Sequence, residues 1–473
     1  MLTPVLDPGS SRPLYEQLYL QLRRDIESGA LRSGEKLPSK RALSAHLKVS
    51  VVTVEGAYGQ LLAEGYIRSE PKRGFYVSQM EAPPSAPAAP ASPAPEPAAG
   101  EAPPPLYDFS TNAVDTSRFP FSTWAKLMRQ VLSAGDSRLL AALPPQGVPE
   151  LREAIVRYLH DFRGISASPE QVVVGAGSEY LTSLLFQLLG REGGYAVEDP
   201  GYPKVWRLLS HQGALVCPIP LDEGGLRVDA LRWSGARVAH VTPSHHFPLG
   251  IVMPIARRRE LLAWAAERPD RYIIEDDYDS EFRFSGRPIP ALQSLDQEGR
   301  VVYLNTFAKS LAPSLRIGYM VLPPALAERF RRDFLFYSST VPSFEQYTLA
   351  RFLEGGHFER HIARMRVEYR ERKAVLTACV RELGIPGTLS GADAGLHMLL
   401  RVENGMAEEE LTARAQEQGV AVHPLSAYHL APPPQDAPAT LVMGYARLSA
   451  AELHEAFRRL RTAWAPGETV RSS

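Results

Sequence analysis

"VVYLNTFAKSLAPSLRIGY", residues 301–319, joins an apolar, strand-like run to one lysine set among small and hydroxylic residues, with an arginine seven positions beyond it. Lys309 is either a solvated surface charge or an amine kept inside a site for covalent chemistry. An amine that forms a Schiff base has to be unprotonated part of the time, which takes burial or neighbouring positive charge. Thr306 and Ser310 supply hydroxyls and Arg316 a guanidinium, a donor set suited to a phosphate dianion beside that amine.

Two stretches upstream add to the pattern. "VVVGAGSEYL" (172–181) reads as a strand, a glycine-bearing turn and a helix start, so Gly177, Ser178 and Glu179 would direct backbone amides at the same anion. "IIEDDYDSEF" (273–282) places acidic residues at the end of a buried strand, where a carboxylate can hold a pyridinium nitrogen protonated. Strand alternation lets only one of Asp276 and Asp277 point at such a ring, and Asp276 is the choice here.

These stretches lie in a region of alternating strand-like and helical runs. VVV (172–174), YAV (195–197), VAHV (238–241), YII (272–274), VVYL (301–304) and YMVL (319–322) are separated mostly by amphipathic helices. That alternation predicts a parallel-rich α/β sheet with helices on both faces. A long helical stretch over 344–383 and a small α+β end piece, built on LHMLLRV and LVMGYA, are expected to follow. The domain reading is an N-terminal unit at 1–80, a linker at 81–105, a large domain at 106–383 and a small C-terminal subdomain at 384–473.

The linker is compositional. Residues 81–105 read EAPPSAPAAPASPAPEPAAGEAPPP, almost entirely Pro and Ala, with nothing to build a core. In extended geometry it could reach on the order of 70 Å. Before it, Leu14, Leu18, Leu22 and Ile26 mark one helix face. Ser39 and Ser50 are placed to cap two more helices, and YIRSEPKRGFYVS reads as a basic-tipped hairpin. Three helices and a hairpin in that order make a winged helix-turn-helix.

Bulk numbers narrow the class. The chain has 473 residues, 44% hydrophobic and 22% charged, as expected of a multidomain globular protein. No apolar run is long enough to span a bilayer, and MLTPVLDPGSSRPLYEQ has no basic then apolar leader pattern. Cys217 and Cys379 are the two cysteines, too few for a disulfide framework. The expectation is a cytoplasmic protein with no membrane partner. Net charge is −1 overall, but residues 1–80 carry 11 basic and 8 acidic side chains, a mild asymmetry that permits DNA binding. His245 and His246 in TPSHHFPLG are a weak metal signal without a third ligand at usual spacing, so no metal is expected.

The stretch GEKLPSKRALSAHLKVSVVTVEGAYGQLLAEGYIRSEPKRGFYV (34–77) resembles the winged helix-turn-helix of the GntR family. The resemblance implies DNA contacts by Ser39, Lys40 and Arg41 at the second helix, Ser50 and Thr53 at the third, and Arg73 and Gly74 at the wing. Many relatives carry an arginine where Val51 stands, with Glu55 one turn on, which removes a direct Arg-to-guanine contact. The three C-terminal stretches resemble fold-type I pyridoxal phosphate enzymes of the aspartate aminotransferase class. With the head and linker, the whole chain looks like the MocR/GabR class of bacterial regulators.

That resemblance implies pyridoxal 5'-phosphate as cofactor, bound covalently to Lys309. Asp276 would meet the pyridinium, Tyr278 the ring hydroxyl and Tyr202 the ring face. Gly177, Ser178, Glu179, Thr306, Ser310 and Arg316 would cradle the phosphate. It also implies a head-to-tail, domain-swapped homodimer on double-stranded operator DNA. Several positions depart from a working aminotransferase. Phe247-Pro248-Leu249-Gly250 replaces the usual Asn-Pro-x-Gly, and Val442 stands where a substrate-carboxylate arginine is expected, with Arg447 the nearest replacement. Lys204 stands for a second arginine near the stacking tyrosine, and Ala142 for a tyrosine that would reach the partner's cofactor. The departures spare attachment and weaken turnover. The reading is therefore a regulator that senses a small amine, such as γ-aminobutyrate, or pyridoxal phosphate itself, with Lys204 and Arg447 as effector contacts. The alternative is an active aminotransferase fused to a DNA-binding head.

Overall fold

The computed structural model of the chain describes residues 6–79, 104–111, 113–284, 289–391, 394–433 and 437–465. It falls into two compact units, Met1–Ala102 and Pro103–Ser473. The segment read as a linker, 81–105, lies outside the described residues except for its last two positions.

In the first unit, α1 (Leu14–Glu27) buries Leu18, Tyr19, Leu22 and Ile26, close to the predicted stripe, with Leu14 half-buried at its start. After β1 (Lys36–Leu37) come α2 (Lys40–Leu47) and α3 (Val51–Ala63). Both begin at the expected caps: Ser39 Oγ accepts from the Ala42 amide at 3.2 Å and Ser50 Oγ from the Thr53 amide at 3.0 Å. Val54, Ala57, Tyr58 and Leu61 of α3 close the core against α1. The strands β2 (Ile67–Glu70) and β3 (Gly74–Val77) form the hairpin, and β3 also pairs with β1. This is a winged helix-turn-helix.

The second unit opens with β4 (Tyr107–Asp108), α4 (Phe121–Ser133) and α5 (Pro149–Arg163). Its sheet then draws on β5 (Val172–Gly175), β6 (Tyr195–Asp199), β7 (Val216–Asp222), β8 (Gly225–Leu226), β9 (Val238–Val241), β10 (Tyr272–Asp276), β11 (Val301–Thr306) and β12 (Gly318–Val321). Between them run α6 (Ser178–Leu189), α7 (Pro203–His211), α8 (Val228–Trp233) and α9 (Ile255–Ala266). The strand order is β5-β12-β11-β10-β9-β6-β7-β8, with β6, β7, β9, β10 and β11 parallel and β12 antiparallel to both neighbours. Side chains alternate faces as the pleat requires. Val172, Val174, Tyr303 and Tyr319 enter one core, while Val173, Val302, Leu304 and Met320 enter the other. The predicted α/β sheet covered on both faces is what forms.

Two local expectations are corrected. β7 was not anticipated, because Pro218 and Pro220 interrupt its apolar pattern; it lies next to the sheet edge, where missing amide donors cost least. The helical stretch after α10 (Pro324–Asp333) is two helices, α11 (Ser343–Glu354) and α12 (His357–Glu382). They are divided at Gly355-Gly356, where Gly356 takes a φ of +63°.

The chain ends in a four-stranded sheet, order β13-β14-β17-β16. It comprises β13 (Gly387–Ser390), β14 (His397–Val402), β16 (His423–Pro424) and β17 (Thr440–Gly444), with α13 (Glu408–Glu417) and α14 (Ala450–Ala463). β15 (Val420–Ala421) pairs in parallel with β4, so the first residues of the body are built into its last part. That pairing places Thr111 against the mouth of the large sheet.

Candidate functional site

The carboxyl ends of β6, β10 and β11 and the turn after β5 converge on a cavity of about 230 Å³. Ligands collect at such strand ends in open α/β sheets because the loops there diverge. Gly177, Ser178, Glu179, Tyr202, Lys204, Asp276, Tyr278, Thr306, Lys309 and Arg316 all line it, although they span 140 positions of sequence.

Lys309 sits in the turn after β11, and its Nζ donates to the Thr111 carbonyl at 2.5 Å. Burial draws its amine down to about 8; Asp279 pulls the other way and Lys204 adds to the lowering. Roughly a tenth of the amine is then neutral at pH 7, against well under a thousandth for an unperturbed lysine.

The two adjacent aspartates part as strand geometry demands. Asp276 lines the cavity, with His240 Nε2 3.5 Å behind its carboxylate. Asp277 turns away, fully buried, to the Arg163 guanidinium at 2.8–3.0 Å and the Tyr303 hydroxyl at 2.6 Å. Tyr278 also reaches the cavity, and its hydroxyl lies 3.0 Å from His245 Nδ1.

At the other end, Arg316 adopts a left-handed φ of 51° and Gly177 a φ of +92°. A left-handed arginine costs on the order of 1–3 kcal/mol and persists only where its surroundings enforce it. The result is contact so close that a Cβ on residue 177 would fall 2.6 Å from Arg316 Nη2. Thr306 Oγ1 accepts from the Ala308 amide at 3.2 Å and shapes the turn that carries Lys309. Ser310 is the exception among the expected cradle residues. It is buried, its hydroxyl has no partner among the described residues, and it does not line the cavity. One residue after Lys309, it points into the body while its carbonyl bonds to His361.

The remaining wall was not foreseen. Thr111, Thr242, Phe247, Asp279, Leu396 and His397 form it, with Ala308 and Pro313. Phe247 is the hub, its ring 5.2–5.5 Å from those of Tyr202, Tyr428 and His397. Glu198, which burial raises to about 7, fixes Thr242 by accepting from its amide and hydroxyl. Asp279 lines the cavity and pairs with His245 at 2.9 Å, so His245 belongs to a hydrogen-bonded wall. His397 Nε2 faces the Pro248 carbonyl at 2.9 Å, and burial holds its imidazole well below the ordinary range, hence neutral. The one signal in sequence was TPSHHFPLG, whose loop carries Phe247 and His245. Among the described residues no three His, Cys, Asp or Glu side chains group to hold a metal ion.

Arg447 does not line the cavity; it is 58% exposed, 3.7 Å from Asp108. Val442 is buried on β17 opposite Leu399, on the sheet face that carries His397 and away from the core entered by Leu441 and Met443. An apolar side chain thus occupies the face where an arginine was considered.

In the head, Arg41, Ser50 and Arg73 are exposed and Thr53 half-buried, with Gly74 at a φ of +115° turning the wing. Ser39 is exposed at the start of α2. Lys40 is engaged within the unit, 2.5 Å from Glu55. Val51 and Val52, 42% and 75% exposed, form the leading edge of α3.

The bacterial regulatory protein pattern of the gntR family matches residues 14–77, and that of aminotransferase class I and II matches residues 104–460. The chain is 41% identical, over 98% of each sequence, to the uncharacterized HTH-type transcriptional regulator YhdI of Bacillus subtilis. It is 37% identical to the probable rhizopine catabolism regulatory protein MocR of Rhizobium meliloti, over 97% of this chain and 95% of that one. Its fold is also that of α-aminoadipate aminotransferase LysN from Thermus thermophilus, solved with N-(5'-phosphopyridoxyl)-L-leucine. There the identity is 26% and the TM-score 0.65, over 76% of this chain and 91% of LysN. A DNA-binding GntR head followed by an aminotransferase class I and II body, matched end to end by such relatives, places this chain in the MocR family of HTH-type transcriptional regulators.

Proposed function

We propose that the protein is a transcriptional regulator that grips double-stranded operator DNA with its winged head and holds pyridoxal 5'-phosphate on Lys309, using it to sense a small amine or the cofactor's own supply. The observation that carries this is one cavity with a buried amine in its wall, drawn below the ordinary lysine range, a carboxylate at one end and a guanidinium over a bare glycine at the other. That donor set fits the cofactor. An amine is present for the aldehyde, an acid for a ring nitrogen, a hydroxyl at Tyr278 for a ring hydroxyl, and a Cβ-free turn where a phosphate would sit.

When bound, pyridoxal phosphate supplies an aldehyde that condenses with an amine, releasing water, and a ring that withdraws electrons when its nitrogen is protonated. The chain's residues do the rest. Lys309 offers its neutral form because burial disfavours the charge. Asp276, backed by His240, holds a proton at the ring-nitrogen position. Tyr202, fixed at the start of α7 and braced by Phe247, covers a ring face. Ser178 and Glu179 present amides and Arg316 a guanidinium to the phosphate, while Gly177 donates its own amide to the Gly175 carbonyl at 2.8 Å and Thr306 its hydroxyl to the Ile317 carbonyl at 3.3 Å, shaping the two turns around it.

An amine effector competing with Lys309 changes which residues of the wall are engaged, and the head's hold on DNA reports that change. The assembly is a head-to-tail homodimer in the cytoplasm, a swap that the Pro/Ala-rich segment is long enough to permit. Ser39, Arg41, Ser50, Thr53, Arg73 and Gly74 face DNA, while Lys40 reaches it only by leaving Glu55. Retained transamination is the second reading, favoured by the completeness of the Lys309 and Asp276 end. The purified protein should be coloured, lose its colour in Lys309→Ala, and change operator affinity when titrated with amines. Many turnovers of amino acid against keto acid would instead establish the second reading.

A further inference from the structure

The anion-binding end of the cavity already holds an anion of the chain's own. Glu179 Oε2 lies 2.5 Å from Arg316 Nη2, and its Oε1 lies 3.2 Å from Lys204 Nζ. Burial pushes the Glu179 carboxyl up, but the bonds from Arg316 and Lys204 outweigh it and hold the group below the ordinary carboxylate range. It is charged at neutral pH. A phosphate seeking the Arg316 fork beside Gly177 therefore meets a carboxylate already in it.

The geometry points to Glu179 as a resident counter-anion that has to release Arg316 before a phosphate can bind, keeping Lys204 as its partner. This rests on the cofactor reading above and goes beyond it, since there Glu179 contributes only its backbone amide. The second residue of α6 can present its amide to an anion while its side chain swings away. With Glu179 ionised the three side chains carry a net charge of about +1, and with glutamine there about +2, so the dianion feels the difference directly. Lys204 lies on α7 two residues after Tyr202. A Glu179 committed wholly to Lys204 ties the start of α6 to the start of α7, and phosphate occupancy is thereby felt at the tyrosine. The phosphorylated cofactor is held less tightly than the cradle alone would hold it, as suits a site that has to empty when supply falls.

The test is a titration of full-length, cofactor-stripped protein with pyridoxal phosphate and with pyridoxal, which has the aldehyde and lacks the phosphate. Bound-cofactor absorbance is the readout. Glu179→Gln should bind pyridoxal phosphate about fivefold more tightly at low salt, since all three side chains are partly exposed, and pyridoxal within about twofold of wild type. The gain should shrink as salt rises. Inorganic phosphate should compete better in the variant. Lys204→Met should weaken pyridoxal phosphate binding in wild type more than in Glu179→Gln. An unchanged or lowered preference for the phosphorylated compound in Glu179→Gln overturns the proposal. A Lys309→Ala protein that retains pyridoxal phosphate as wild type does overturns the cofactor reading itself.

Discussion

The head and the cavity handle their functional groups in opposite ways. Along the head, Ser39 to Thr53 lie in one short span, most are exposed, and the caps that could face a phosphate also start the helices that carry them. In the body the groups that line the cavity come from Thr111 to His397, most are buried or half-buried, and several are bonded to one another, as Lys309 is to Thr111 and Glu179 to Arg316. A surface that reads DNA can be local because the ligand supplies the opposing wall. A cavity that holds a small molecule has to be assembled from several strand ends, and it needs a scaffold stiff enough to keep them in register.

The sharpest way to break this contrast is at Lys309. Lys309→Ala should lose all covalently retained cofactor, read as visible absorbance surviving gel filtration, while the melting of the head is unchanged. Next comes the scaffold beneath the site. Asp277→Ala strands Arg163 without its buried partner and should destabilise the body by about 3–5 kcal/mol, seen as a lowered body transition in calorimetry. Its neighbour should behave differently. Asp276→Asn should leave that transition within about 1 kcal/mol but weaken cofactor binding roughly tenfold or more, the cost of one charged hydrogen bond.

A smaller and graded effect concerns pH. Because burial lowers the Lys309 amine to about 8, its neutral fraction rises about tenfold per pH unit below that value and levels off above it. The rate of cofactor attachment should follow that curve between pH 6 and 9.5. A flat profile would show that the neutral amine does not limit attachment. The smallest effect lies in the head: Ser50→Ala removes the α3 cap and should cost about 1 kcal/mol of head stability, read as a lowered head transition in calorimetry.

What could be read in the sequence follows the same division. The α3 cap, the α1 stripe, Lys309 and the choice between Asp276 and Asp277 were legible, because each depends on neighbours within a turn or on strand alternation. His397, Thr111 and Phe247 were not, because their place in the wall depends on β14, β4 and a loop meeting from three parts of the chain. Ser310 and Arg447 do not line the cavity, for a related reason. A residue beside a functional one is not thereby in the site, and turn geometry after Lys309 sends Ser310 inward. β7 was hidden by Pro218 and Pro220, since a proline-bearing run is a strand only if an edge tolerates it.

The bare glycine beneath Arg316 sets a limit on how this architecture can diversify. Any other residue at 177 would begin with an atom 2.6 Å from the guanidinium and would have to hold a φ that side chains disfavour. Phe247, Leu396 and His397 take no left-handed φ, so their positions do not call for glycine as position 177 does. Substitution is therefore steered to one half of the cavity, while the turn at Gly177 stays fixed.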